Sequence, residues 1–301
     1  MEPDKIRILF IGNVFFSKKV LTKLIDNKLK IVGVCSKKKS KLNSDHINLG
    51  KLCKSNKILI KYTYDINSNS SIKWIKHKKP DIILCCGWSQ ILKLAILNIP
   101  KFGTIGYHPS DLPNNRGRHP LIWTIILGLK KFYSTFFLMS KFADTGKVLS
   151  KDSFVIKKND NAKTLYKKMC THAPNQFLKL IKKKNFLKKI HKKEILLKKL
   201  ESNYWRKRNY SDGKIDWRMT AESINLLVKG LAAPYPNAHF TNNKKDIKVI
   251  STKIIKYKKR NIEPGKIIGK KNNKFIIKCG ENAILLDKIK PKIKLTINDY
   301  L

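Results

Sequence analysis

At 301 residues and 42% hydrophobic content, the chain can bury a sizeable core and hold two domains, which excludes a disordered polyelectrolyte despite a net charge of +46. No apolar run reaches the ~18 residues of a membrane span, and Met1-Glu2-Pro3-Asp4 leads into a strand without a signal-peptide pattern. Six scattered cysteines with no CxxC pair point to reduced thiols in a cytoplasmic protein and argue against a zinc site. Only seven of the 66 basic residues are arginine, the side chain suited to bidentate phosphate contacts. The charge therefore reads as compositional bias, with non-specific attraction to polyanions at low salt.

Residues 6–11 form an apolar run ending at Gly12-Asn13 and are predicted as a buried first strand. Ser17 is the expected cap of a helix carrying Val20, Leu21, Leu24 and Ile25 at helical spacing. A second strand is expected at 31–35. This alternation predicts an α/β, doubly wound, mostly parallel sheet with ligands at the strands' carboxyl ends. The loop with Asn13 and Phe15 then faces substrate, and the lack of a GxGxxG pattern argues against a dinucleotide site. Residues 37–41, a lysine cluster, read as a solvated loop. Asp45 is expected to start a helix with Ile47, Leu49 and Leu52, before a weak strand at 58–60 and a helix at 68–79.

A strong buried strand over 81–86 stops at Gly87-Trp88-Ser89-Gln90, and a helix follows over 92–99. Residues 104–107 form the strand leading to His108. Pro120 suits the first turn of a helix that Gly128 stops. Residues 132–139 and 148–156 read as a hairpin, and Ala162, Leu165, Tyr166, Met169, Phe177, Leu178 and Ile181 as the stripe of a long helix. Residues 182–205 read as a lysine-rich linker, and a helix follows over 221–231. From 247 onward, short β runs between turns suggest a small barrel. The expected domains are 1–185 (catalytic), 186–232 (linker with helix) and 233–301 (β-rich).

His108 ends a strand and faces a stiff polar loop, which makes it a catalytic candidate. Asp144 lies in the break Ala143-Asp144-Thr145-Gly146 of the second β run. The ordered set His108-Pro109-Ser110, Leu112-Pro113, Arg116-Gly117, Pro120 and Asp144-Thr145-Gly146 resembles the signature of the N10-formyltetrahydrofolate-dependent formyltransferases. That family includes the methionyl-tRNA, glycinamide ribonucleotide and sugar-nucleotide enzymes. One departure stands out: the family carries an Asn two residues before the His, and this chain has Gly106.

The resemblance implies a Rossmann-like catalytic domain, a barrel-like C-terminal domain, and N10-formyltetrahydrofolate as co-substrate with no metal. It makes His108 and Asp144 the proton-handling pair. It puts the cofactor against Trp88, Ser89, Gln90, Ile91, Leu92 and Asp144, and the acceptor against Asn13, Phe15, Ser110, Asn115, Arg116, Gly117 and Arg118. Ser110, Asn115 and Gln90 are the candidates to replace the absent donor at 106.

Pro234-Tyr235-Pro236-Asn237-Ala238 and Arg116-Gly117-Arg118 are similar to the sugar-nucleotide branch. Residues 36–56 contain neither Pro nor Arg, where the tRNA enzyme has a Gly/Pro/Arg insertion that wedges into the acceptor stem. A nucleotide-linked amino sugar is thus the expected acceptor and initiator Met-tRNA the alternative, with nucleic acid the lesser partner. Loss of activity, with binding or formylfolate hydrolysis remaining, is the third reading, and it rests on Gly106. No membrane partner is expected; a homodimer is compatible with the chain.

Overall fold

A computed structural model describes residues 2–40, 44–184, 186–191 and 202–301. The chain divides into two compact units. The first comprises Met1–Pro120, Phe132–Phe154 and Tyr166–Trp205; the second comprises Leu121–Lys131, Val155–Leu165 and Arg206–Leu301.

The first unit is built on a seven-stranded sheet of order β3-β2-β1-β4-β5-β7-β8. Its strands are β1 (Ile8–Ile11), β2 (Ile31–Ser36), β3 (Ile60–Tyr62), β4 (Ile82–Cys85), β5 (Thr104–His108), β7 (Lys131–Leu138) and β8 (Val148–Val155). The first five run parallel; β7 is antiparallel to β5, pairing Gly106 with Phe137 and His108 with Thr135. Leu138 N–H donates to Lys147 O at 2.9 Å, closing the expected β7–β8 hairpin. The two-residue strands β6 (Arg116–Gly117) and β9 (Tyr204–Trp205) pair parallel with each other.

Strand alternation sorts the core by face. Leu9 and Ile11 of β1, Cys35 of β2, and Ile83 and Cys85 of β4 pack with Ile75 of α3 (Asn69–His77) and Ile96 of α4 (Leu94–Leu97). The Ser68 hydroxyl caps α3 by accepting from Ser71 N–H. Two local expectations need correction. Helix α1 (Phe15–Asp26) begins before Ser17, so Ser17 does not cap it from outside. Its hydroxyl instead accepts from Val14 N–H and donates to Cys86 O at 2.6 Å, stapling the β1–α1 loop to the end of β4. Asp45 starts no helix either: α2 spans Gly50–Ser55, and the Asp45 carboxylate accepts from the Tyr166 hydroxyl. Helix α6 (Ala162–Ile181) is the long helix of the apolar stripe, and α7 (Phe186–His191) follows it. The rest of the stretch read as a linker falls largely on residues 192–201, which lie outside the described residues.

The second unit holds a five-stranded antiparallel sheet of order β10-β11-β14-β13-β12. Its strands are β10 (Ala238–Asn242), β11 (Lys245–Ile255), β12 (Ile267–Lys271), β13 (Lys274–Lys278) and β14 (Ala283–Lys290). Helix α8 (Ala221–Gly230) places Ala221, Ile224, Leu227 and Val228 in one core with Phe240, Ile247, Val249, Ile277 and Ile284 of the sheet. Helix α5 (Pro120–Ile126) adds Ile122 to that core.

Candidate active site

His108 closes β5 and is 8% exposed. Its Nδ1 lies 3.7 Å from Asp144 Oδ1, beyond direct hydrogen-bond length. Burial pushes the imidazole pKa below its usual value; the Asp144 carboxylate and a hydrogen bond to the Asn115 backbone oppose that shift. Nε2 is buried without a hydrogen-bond partner, so Nδ1 makes the Asn115 bond. That tautomer leaves the Nε2 lone pair free to take a proton.

Asp144 adopts φ 57°, and its Oδ2 accepts from Gly117 N–H at 3.2 Å. The turn carrying it is locked from within: the Ser140 and Thr145 hydroxyls both reach Phe142 O, at 3.1 and 2.9 Å. Gly146 packs so closely that a Cβ there would sit 1.6 Å from Leu138 O. Gly146→Ala should therefore force the hairpin apart and lower stability by at least ~3 kcal/mol, read as a shifted denaturant midpoint. An unchanged midpoint would refute this packing. Gly117 (φ 102°) lies against β9, where a Cβ would meet Trp205 O at 2.3 Å.

A cavity of about 330 Å³ opens at this end of the sheet. Trp88, Ser89, Gln90, Ile91, Leu92 and Asp144, the expected cofactor residues, all line it, as do His108, Gly117 and Arg118. The exposed side chains of Ile91, Phe142 and Tyr204 add apolar and aromatic surface suited to a planar ring. The other expected acceptor residues stand outside this lining. Asn13 is buried on the β1–α1 loop with neither amide atom bonded, whereas Phe15 is exposed beneath the Lys19 ammonium. Ser110 is buried with an unpartnered hydroxyl, and Arg116 keeps Nε and one terminal nitrogen buried and unbonded. Asn115 exchanges two 2.8 Å bonds with Asn203.

The space beside Gly106 is not open. A Cβ there would lie 2.9 Å from both Phe137 Cε1 and Met139 Cγ, and both side chains line the cavity. Of the proposed replacement donors, Gln90 is committed elsewhere, accepting from Ile66 N–H and donating to Asp65. Asn115 is held by Asn203; the Ser110 hydroxyl alone is unengaged among the three. Sequence reasoning missed Phe137, Met139 and Tyr204. Phe137 of β7 and Met139 just past its end both reach the Gly106 side, and Tyr204 arrives through the β6–β9 pair. Among the described residues, no group of three or more His, Cys, Asp or Glu converges as metal ligands.

The formyl transferase family model matches residues 5–181, and that of the formyl transferase C-terminal domain matches residues 207–301. The chain belongs to the formyltransferase family. Methionyl-tRNA formyltransferase of Caldanaerobacter subterraneus subsp. tengcongensis is 32% identical over 237 residues, covering 78% of this chain and 75% of that protein. Bifunctional polymyxin resistance protein ArnA of Wigglesworthia glossinidia brevipalpis is 35% identical over 233 residues, covering 76% of this chain but 34% of that protein. Two solved structures share the formyltransferase fold. WlaRD, a sugar 3N-formyl transferase solved in the presence of dTDP and 5-N-formyl-THF, has a TM-score of 0.67 at 19% identity, over 96% of this chain and 99% of its own. The N-formyltransferase from Helicobacter canadensis, complexed with folinic acid and dTDP-3-aminofucose, has a TM-score of 0.68 at 18% identity, over 93% of this chain and 98% of its own.

Proposed function

We propose that this formyltransferase moves a formyl group from N10-formyltetrahydrofolate to the amine of a nucleotide-linked amino sugar, in the cytoplasm. The observation that carries the acceptor choice is the course of the chain after β2. Residues 45–47 fold back on the β1–α1 loop: Phe15 N–H donates to Asp45 O and Ile47 N–H to Asn13 O, at 2.9 and 3.0 Å. The segment that carries the wedge in the tRNA enzyme is thus engaged in closing the Asn13 loop. The Arg116-Gly117-Arg118 triplet and the sugar N-formyltransferase structures support the same choice. Initiator Met-tRNA is the second reading. It is favoured by relatives such as methionyl-tRNA formyltransferase of Rickettsia bellii, 28% identical over 97% of this chain, and by the charge.

In this proposal the folate lies against Trp88 to Leu92, with N10 near His108. The neutral amine attacks the formyl carbon, and the bond from that carbon to N10 then breaks. The proton lost by the amine passes to His108 Nε2 and on to N10. Asp144, facing Nδ1, stabilises the imidazolium formed between these steps. With Gly106 offering no side chain, that imidazolium is the cavity-lining donor for the oxyanion, and the Ser110 hydroxyl, two residues on, is unengaged.

A native-state ligand raises melting temperature by mass action. dTDP- and UDP-linked amino sugars should shift the melt, and more so with 5-formyltetrahydrofolate present. A shift with charged initiator tRNA that persists at ~0.3 M salt, with none from nucleotides, would transfer the case to the tRNA reading.

A further inference from the structure

The carboxyl ends of β2, β1 and β4 carry buried polar groups that the proton chemistry at His108 does not use. Ser36 ends β2 fully buried, its hydroxyl without a partner. Lys37 follows at 8% exposure; its ammonium stands 5.0 Å from the centre of the Trp88 ring, and it forms no ion pair among the described residues. Asn13 is 1% exposed with an unbonded amide, and the Trp88 indole N–H is likewise buried and unbonded. Backbone bonds hold these ends together: Gly12 N–H donates to Cys35 O at 3.1 Å, and Cys86 N–H to Ile11 O at 2.9 Å. Strand order reverses between β1 and β4, and the crevice above such a reversal is where open α/β sheets bind ligands.

A lysine drawn down to 8% exposure with no counter-ion is held unfavourably, and an indole face offsets only part of that cost. The unbonded Asn13 amide and Trp88 indole N–H add a cost of their own. Each of these groups carries positive charge or can donate a hydrogen bond, the Ser36 hydroxyl and the Asn13 amide being able to accept as well, and an anion rich in acceptor oxygens answers the charge and the donors together. The sequence reading as a solvated lysine loop therefore does not describe Lys37. It does fit Lys38 and Lys39, which are exposed.

We propose that Lys37 and Asn13 form a diphosphate-binding subsite at the β1–β4 reversal, holding the diphosphate of the acceptor while its amine reaches His108. The proposal rests on the sugar-nucleotide reading and adds the residues that fix the acceptor's charged end. Lys37 supplies the point charge, Asn13 an amide donor, and Trp88 the wall between acceptor and folate.

Calorimetric titration of the full chain with inorganic pyrophosphate, dTDP and 5-formyltetrahydrofolate tests it, at ~0.3 M salt to suppress diffuse attraction to the lysine-rich surface. Wild type and the exposed-site control Lys39→Met should bind all three. Lys37→Met should weaken pyrophosphate and dTDP about tenfold or more, as expected for a desolvated charge contact, and leave the folate within about twofold. Its unliganded melting temperature should match or exceed wild type, since a little-exposed lysine without a counter-ion has been removed; if it is lower, Lys37→Gln serves in its place. Pyrophosphate binding that ignores Lys37, fails in wild type, or falls equally in Lys39→Met overturns the subsite, as does selective loss of the folate. If pyrophosphate depends on Lys37 but dTDP binds no better than pyrophosphate, the subsite stands and the sugar-nucleotide reading alone fails.

Discussion

His108→Asn should lower kcat for formyl transfer about 10³-fold, within the ~10²–10⁴ range of a lost general acid–base group, and barely change the melting temperature. Nε2 has no partner to lose, and an Asn amide can still donate toward the Asn115 carbonyl. Asp144→Asn separates charge from position: its side-chain oxygen can keep the Gly117 N–H bond while the carboxylate facing Nδ1 disappears. A smaller loss is expected there, confined to kcat. The pH profile follows from burial, which holds the His108 pKa below its ordinary value of ~6.5. Turnover should stay level through neutrality and fall only on the acid side, as the imidazole takes up its proton. Stability moves the same way. As pH drops through ~6.5 the unfolded chain protonates first, so the contribution of the buried neutral imidazole is complete above that pH and is lost below it. Turnover of His108→Asn within about threefold of wild type would remove His108 from the mechanism.

Gly106→Asn should not restore a missing catalytic group. An Asn would restore the family pattern, but the place for its side chain is filled by Phe137 and Met139. Overpacking of this kind costs ~1–3 kcal/mol, a melting point lowered by several degrees. Because both displaced side chains line the cavity, folate affinity should fall as well. Gly106→Asn combined with Met139→Ala provides room and should recover both stability and binding relative to the single variant. A faster and equally stable Gly106→Asn enzyme would show that the space is a true gap and that the apolar filling is incidental. The substitution pattern is thus a coupled exchange of a polar side chain for Gly with packing from β7. No single position of the sequence reveals it.

That coupling also shows where sequence reading stops. Runs such as Ile8–Ile11 and Ile82–Cys85 were legible because a strand buried on both faces must be continuously apolar. The order of the β1–α1–β2 pattern then required ligands at the carboxyl ends, and the Trp88 to Leu92 segment with His108 does line one cavity there. Two-residue strands carry no periodicity, so the pairing of Arg116–Gly117 with Tyr204–Trp205, and with it Tyr204 at the cavity, left no local signal. Ser17 and Asp45 looked like helix caps by residue type alone. Ser17 instead sits inside the first turn, accepting from the N-cap Val14 N–H while donating to Cys86 O, and Asp45 is taken by the Tyr166 hydroxyl. Lys37 was hidden beside Lys38 and Lys39, from which only its burial distinguishes it.

The most direct measurement incubates the purified chain with N10-formyltetrahydrofolate and, in parallel, a dTDP- or UDP-linked amino sugar or initiator Met-tRNA, and follows product mass and tetrahydrofolate release. The account predicts an N-formyl sugar nucleotide formed in step with tetrahydrofolate and abolished by His108→Asn. Formyl-methionyl-tRNA with no sugar product, or formate released with neither acceptor modified, would contradict it.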